Sequence, residues 1–542
     1  MSKLSQSLKI ALIDPPYNLM RVEYFPDIFV PNQGLMSIAA YLQENGYINL
    51  KYIDGNLTSL IQKDPFQKIS KKLKEEDFQV ILLSANTCSI YFSMYTAHLA
   101  RNLNPDALII LGGIHASFEP ELTLRSCEDL DLLVIGEGEL TILELLKQWE
   151  IFLSSSGISD KNQFFPLLQK IPGLSFLYKN EFIKTPARNL IENLNTLPRH
   201  PFNLLPMEKY QFQSIYKDSR FEGMTLITSR GCTGSCSFCS NKNQWQSRYR
   251  TRSAERVVSE LEELYIRYGK RIFLLGDQDI LLDRERTEAL LIELEKKKRP
   301  FKFWAETAVT SLLNSKDLLK RLKMVGFEIF FIGIEFCRDE DLRTYQKQSS
   351  VRKILELSQL LHQADIVPHT SVIIGTRPET TDSIQEMIHF VSRQIRARLC
   401  STEILTPLPG TGIYQDFLKK GRIEVFDFEY YNMFNAVFSW PGCSREKLNS
   451  YRDKVEAMTF MGAYKWKKAL STKIGWTTLK YELKVFQKKG LLNFRDLIFP
   501  SQPYLKYRKK LLIRQLDIMK NLPHWKPSLE NHPPDENGIG KE

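Results

Sequence analysis

Apolar and polar positions alternate in two patterns over the first 150 residues. Short, almost wholly apolar runs at Lys9 to Ile13, Leu50 to Asp54, Val80 to Ser84, Ala107 to Leu111 and Leu132 to Ile135 predict strands. Between them, Gly34 to Asn45, Met94 to Leu103 and the segment through Trp149 carry helical period, with Gly46 as a C-cap and Asn104-Pro105 as a stop. Continuous apolar strands alternating with helices predict a parallel, doubly wound sheet covered on both faces. Ligands of such sheets lie beyond the carboxyl ends of the strands. The polar or glycine-rich turns fall at those ends: Asp14-Pro15-Pro16, Ser84-Ala85-Asn86, Gly112-Gly113-Ile114-His115 and Gly136-Glu137-Gly138-Glu139.

Residues 151–215 read as a connector, in which Leu174 to Tyr178 and Phe182 to Thr185 flank a polar turn and predict a hairpin. A second strand–helix series starts near Thr225. Its strands are Leu226 to Ser229, Ile272 to Leu275, Phe301 to Ala305, Ile329 to Ile334, Pro368 to Ile374 and Ser401 to Leu405, with helices such as Ala254 to Tyr268 and Arg284 to Lys297 between them. Six such units predict a partial (β/α) barrel over 216–420. Residues 421–522 are aromatic-rich and read as mainly helical, and 523–542, with Pro533-Pro534 and little apolar content, as a disordered tail. The chain is therefore α/β, with residues 1–150 as its first domain.

The formal net charge of +11 is concentrated late, in stretches such as Lys465-Trp466-Lys467-Lys468 and Arg508-Lys509-Lys510. Such an excess suits nucleic acid, an anionic membrane surface or a solvated helix face. The last fits best, and no nucleic-acid partner is expected. Leu505, Leu512, Leu516 and Met519 share one helical face ringed by Lys and Arg, the pattern of a helix packed on the enzyme and also of an interfacial helix. There is no secretory signal and no apolar run of about 18 residues. Both point to a cytoplasmic chain, with peripheral membrane contact as an open alternative.

Three of the eight cysteines crowd into Cys232-Thr233-Gly234-Ser235-Cys236-Ser237-Phe238-Cys239, directly after a predicted strand. Cys88, Cys127, Cys337, Cys400 and Cys443 are scattered and read as packing residues. Three thiolates on one loop can grip three irons of a cubane and leave the fourth without a protein ligand. Structural zinc wants four ligands, usually in paired sets, and no fourth cysteine or histidine lies nearby in the sequence. Gly231 and Gly234 give the loop freedom to fold around a cluster.

This loop, with Phe238 before its third cysteine, resembles that of the radical S-adenosylmethionine (SAM) superfamily. The resemblance implies a 4Fe-4S cluster on Cys232, Cys236 and Cys239, whose open iron chelates SAM and whose reduction cleaves it to a 5′-deoxyadenosyl radical. It continues at the strand ends. Gly276-Asp277-Gln278-Asp279 stands where the family contacts the SAM amino group, in a form that departs from the commoner Gly-Gly-Glu. Trp304-Ala305-Glu306-Thr307, Gly333-Ile334-Glu335, the turn at Gly375 and Pro407-Leu408-Pro409-Gly410-Thr411 stand where it holds ribose, methionine and adenine. Gly276, Asp277, Glu306, Glu335, Gly375 and Gly410 are thus the candidate SAM-binding residues. Carboxylates also suit hydroxyls and an ammonium on general grounds.

A doubly wound domain ahead of such a barrel resembles the cobalamin-binding class of that superfamily, over roughly residues 1–420. Gly112, Gly113, His115, Gly136 and Glu137 are its candidate cobalamin-binding residues. The Asp-x-His-x-x-Gly motif, whose histidine ligates cobalt elsewhere, is absent. His115 is then better read as a turn histidine than as a cobalt ligand, and Glu137 and Glu139 suit a helix N-terminus. The resemblance implies methyl transfer to an unactivated carbon of a small-molecule or lipid-like substrate, with an electron donor such as flavodoxin or ferredoxin. Radical oxidation, cyclisation or rearrangement without methyl transfer is one alternative, and a non-catalytic cobalamin or cluster sensor another. Phe426, Phe428, Tyr430, Tyr431, Phe434, Phe438 and Trp440 suit either a pocket lining or an ordinary core.

Overall fold

The computed structural model describes residues 7–16, 28–58, 66–156, 161–212, 222–463 and 502–520. Strands β1 (Ile10–Asp14), β2 (Leu50–Asp54), β3 (Val80–Ser84), β4 (Leu108–Gly112) and β5 (Leu132–Val134) lie parallel in the order β2-β1-β3-β4-β5. Alternation within these strands divides the core. Ile10, Leu12, Val80, Leu82, Leu108 and Ile110 pack under helices α1 (Gln33–Glu44) and α3 (Glu139–Ser156). Ala11, Ile13, Ile81, Leu83, Ile109 and Leu111 face helix α2 (Ile90–Leu103). Both faces are covered, as continuous apolar strands require. The order reverses between β1 and β3, which makes the neighbouring strand ends a topological switch point.

The expected hairpin forms from β6 (Leu174–Tyr178) and β7 (Glu181–Lys184), turning through Lys179 and Asn180 at φ 49° and 65°. Two left-handed residues are what a two-residue hairpin turn of primed type needs. β6 pairs antiparallel with β5, so the hairpin extends the first sheet rather than standing apart in a connector.

The second sheet holds β8 (Gly223–Leu226), β9 (Ile272–Leu275), β10 (Lys302–Thr307), β11 (Phe327–Glu335), β12 (Val367–Ile374) and β13 (Leu399–Ile404), all parallel and in chain order. Ala305, Phe330, Ile332, Val372 and Ile374 belong to the core beneath the outer helices. The alternate positions curve round an inner face, where the Trp304 ring on β10 reaches His369 on β12 at 5.2 Å, past the intervening strand. One strand departs from expectation. Leu226 to Ser229 is not continuous: β8 stops at Leu226, and Ser229-Arg230 pairs antiparallel with Arg250-Thr251.

The region after 420 is helical only in part. Residues 421–443 are mostly irregular, with one tight turn at Phe428–Tyr430, before helix α4 (Arg445–Ala463) packs on β13. Phe428, Tyr431 and Phe438 are core residues. Helix α5 (Gln502–Lys520) returns to the first sheet and packs on α2 and on the helix Pro120–Ser126. Its buried line is Tyr504, Leu511, Gln515 and Met519, with Leu505, Leu512 and Leu516 half-buried beside it. Lys509 and Lys510 are solvated, but Arg508 is not: it pairs with Asp427 and Glu429. The Lys465 to Lys468 stretch and the tail at 523–542 lie outside the described residues. No described helix is long and apolar enough to cross a membrane.

Candidate active site

The cysteine loop starts where β8 is pulled off the sheet. Asp277 Oδ1, at the end of β9, accepts from the Thr228 amide and hydroxyl, both at 3.0 Å, and from the Ser229 hydroxyl at 2.5 Å. These bonds outcompete sheet pairing and account for the broken strand. Gly231 follows at φ +96°, where an added Cβ would lie 1.9 Å from the Arg248 carbonyl oxygen, so only glycine fits. Its amide donates to Gln278 Oε1 at 3.0 Å.

Cys232, Cys236 and Cys239 are free and half-buried. Burial pushes the Cys236 thiol up to about 11; nearby Lys347 opposes this, while Glu335 and the other two thiols add to it. No three His, Cys, Asp or Glu side chains among the described residues converge on a single ion. A cubane does not ask for that, because each thiolate takes its own iron. Three half-open thiols spread along one loop fit it better than they fit zinc.

The inner face of the half-barrel carries acids above an aromatic floor. Phe331 meets His369 edge-on at 4.7 Å, and His369 Nε2 lies 3.0 Å from the Ser401 hydroxyl. Burial holds His369 down to about 3, so it is neutral at physiological pH. Glu306, on β10, has no side-chain partner among the described residues, and burial, then Asp277, pushes it up to about 7. Glu335 sits at φ +63° on a bulge in β11 and pairs with Lys347 at 2.9 Å. An added Cβ on Gly333 would lie 2.3 Å from its carboxylate. Burial alone would lower the Lys347 ammonium; Glu335 and then Cys236 outweigh that and raise it. Glu403, on β13, accepts from the Ser371 hydroxyl at 2.7 Å, and burial pushes it up to about 8.

The carboxyl ends of the two sheets face each other. Phe118 fits against Gly410, whose added Cβ would strike that ring at 2.4 Å. Glu119 shares a hydrogen bond with Tyr414, and burial pushes its carboxyl up to about 7. Arg230 Nη1 donates to Glu137 and Nη2 to Glu139, each at 2.5 Å. At the first sheet's end, Gly112, Gly113 and Gly136 present backbone without side chains. Gly113 is at φ +100°, and its added Cβ would lie 2.4 Å from the Ala85 carbonyl oxygen. Gly136 is at φ +78° and faces open space. Gly113 is packed on Ala85, so the backbone left open at Gly136 is the cradle that a bulky ring system can approach.

The family model described as the Radical SAM superfamily matches residues 226–391, and that of the B12 binding domain matches residues 28–146. The chain is a radical SAM protein with a B12-binding domain. An uncharacterised methyltransferase of Pyrococcus horikoshii is 26% identical over 442 residues, 82% of this chain and 90% of the relative. An anaerobic magnesium-protoporphyrin IX monomethyl ester cyclase of Cereibacter sphaeroides is 27% identical over 429 residues, 78% of this chain and 66% of the relative. Among solved structures, the methyltransferase TsrM from Kitasatospora setae, with cobalamin and a 4Fe-4S cluster bound, aligns at TM-score 0.62 and 16% identity, over 82% of this chain and 90% of that one. OxsB with aqua-cobalamin and SAM bound aligns at 0.64 and 16%, over 95% and 80%. At these identities the two structures share the fold.

Within the radical SAM domain, Glu306 alternates with Ala305 on β10 and so belongs to the inner-face set, Glu335 lies beside Cys236 and Cys239, and Asp277 lies behind the loop. Asp277 is fully buried and spends Oδ1 on the loop root, so it shapes the site from behind. Gly276 tolerates a Cβ, with its nearest neighbour at 3.6 Å. Gly375, at φ +81°, is bonded to Glu379 and to the Trp440 indole, and Gly410 seats Phe118. In the B12-binding domain, His115 is 1% exposed, lies 4.7 Å from the Phe428 ring and is held down to about 3 by burial. Glu137, expected to bind a cofactor, accepts from Arg230, from Arg250 at 2.8 Å and from the Ile191 amide at 2.7 Å, so both of its oxygens are bonded to protein. Lys347 and Glu403 were not foreseen. Lys347 lies in a loop without a motif, but Glu403 alternates with Ser401 in an apolar strand, a period-two signal for an inner-face residue.

Proposed function

We propose that the chain is a cobalamin-dependent radical SAM methyltransferase that methylates an unactivated carbon of a small-molecule or lipid-like substrate. The reading rests on one observation above the rest: Arg230, two residues before Cys232, is bonded to Glu137 and Glu139 beside Gly136, which joins the root of the cysteine loop to the glycine turn of the B12-binding domain. When bound, the cluster and SAM supply a hydrogen-abstracting radical and cobalamin supplies the methyl group. Cys232, Cys236 and Cys239 hold three irons. Glu306, without a side-chain partner among the described residues, accepts from SAM hydroxyls or its ammonium, and the Lys347–Glu335 pair orients the polar end beside the thiols. Trp304, Phe331 and His369 close the floor and exclude water. Glu403, held by Ser371, offers a carboxyl to the substrate. The electron donor is of flavodoxin or ferredoxin type, in the cytoplasm.

The test is the product pair released by anaerobically reconstituted, cobalamin-loaded and reduced protein given SAM. Both 5′-deoxyadenosine and S-adenosylhomocysteine are expected, because only the second records methyl donation. 5′-Deoxyadenosine alone would favour radical cyclisation or rearrangement, the reading that the likeness to the cyclases keeps in view. Neither product would leave a sensor.

A further inference from the structure

The salt-bridged joint between the two domains lies two residues from the first cluster ligand. Arg230 ends the short strand Ser229–Arg230 and precedes Gly231-Cys232. Its guanidinium forks: Nη1 to Glu137 Oε1 and Nη2 to Glu139 Oε1, each at 2.5 Å, with the Ser37 hydroxyl 3.1 Å from Nη2. Ser37 in turn donates to Glu139 at 2.6 Å. Arg250, the strand partner of Arg230, takes the other Glu137 oxygen. The Glu137 and Glu139 side chains are 4% exposed. Burial would lower the Arg230 guanidinium, but Glu139 and then Glu137 outweigh it and raise it. A buried, forked pair of this kind fixes direction as well as distance, which a lysine cannot do.

The fork has little slack on either side. Gly231, the single residue between Arg230 and Cys232, is packed on the Arg248 carbonyl and bonded to Gln278, so the fork and these contacts together fix where Cys232 begins. Glu137 is the immediate neighbour of Gly136, which faces the open cradle. We infer that Arg230 is a positioning residue that sets the register between the cysteine loop and the B12-binding domain, and so the separation of cluster and cobalt. This rests on the cobalamin reading above. It goes beyond it in giving Glu137 and Glu139 the task of aligning two cofactors rather than binding either.

The test uses full-length protein loaded with cluster and cobalamin, without SAM, reduced so that cluster and cobalt(II) are both paramagnetic. Pulsed dipolar spectroscopy then reads their separation. Wild type is expected to give one narrow distance distribution. Arg230→Met should keep its iron and cobalt and lose that single narrow distribution, while Arg230→Lys, which keeps the charge but not the fork, should fall between. An Arg230→Met protein with full metal content and an unchanged distribution would overturn the inference. If Arg230→Met does not retain iron, Glu139→Gln, which removes one arm only, decides on the same criterion. Wild-type protein that takes iron but no cobalt would overturn both the cobalamin reading and this one, whereas an unchanged variant overturns this one alone.

Discussion

The carboxylates at the strand ends of the B12-binding domain and those on the inner face of the half-barrel are held differently. On the B12-binding domain they are committed to protein. Asp14 accepts from Asn32 and Asn56, Asp54 from Tyr210 and two amides, Glu137 from two arginines and an amide, and Glu139 from Arg230 and Ser37. On the radical SAM domain Glu306 has no partner among the described residues, Glu403 accepts from one hydroxyl, and Glu335 pairs with one lysine. A half-buried carboxyl with few protein partners is free to accept from polar groups of a ligand, as the proposed function requires of Glu306. The other surface offers open glycine backbone at Gly136.

The largest effect that could break this contrast is loss of the cluster. Changing Cys232, Cys236 and Cys239 together to alanine should remove all of the about four irons per chain. Cys88→Ala and Cys443→Ala should keep them, and iron analysis of the triple variant that still finds a full complement would contradict the assignment. Next, Gly113→Val adds left-handed strain and a clash with the Ala85 carbonyl, and should cost at least about 2–3 kcal/mol in denaturant unfolding. Gly136→Ala sharpens the comparison, because its side chain meets open space. It should cost only about 1 kcal/mol of stability while weakening cobalamin binding markedly; unchanged cobalamin affinity would show that the cradle lies elsewhere.

Glu306→Gln addresses the other surface. SAM binding should weaken roughly tenfold, the scale of a charge-assisted hydrogen bond. Without SAM the sign reverses. Burial and Asp277 raise the folded carboxyl to about 7, so the native state binds the proton more tightly than the unfolded chain does. Stability then falls as pH rises from the ordinary carboxyl value through about 7. SAM-free Glu306→Gln should therefore melt like wild type in acid and above it at pH well beyond neutral. A melting difference that ignores pH would refute the unpaired state. The smallest effect belongs to Arg248→Met, which breaks an exposed pair with Glu192 beside the buried Arg250–Glu137 pair; it should cost less than about 1 kcal/mol.

Local patterns were legible in the sequence and long-range ones were not. The strands of both sheets follow from apolar runs, and the three thiols from spacing within one loop. The first barrel strand was misread because Thr228 and Ser229 look like strand residues, while the carboxylate that captures them lies 49 and 48 positions away. Glu137 looked like a ligand-binding residue because its glycine-rich turn is visible locally, and its partner Arg230 is 93 positions on. The irregular stretch at 421–443 hid behind aromatic residues whose density suits helices and loops equally.

The central claim is that one chain carries both cofactors on surfaces that face each other. Iron and cobalt analysis of reconstituted protein, desalted after incubation with hydroxocobalamin, tests it most directly. About four irons and about one cobalt per chain are expected, with the cobalt retained when the three cluster cysteines are replaced. Protein that holds its iron but releases all cobalt on desalting would contradict it.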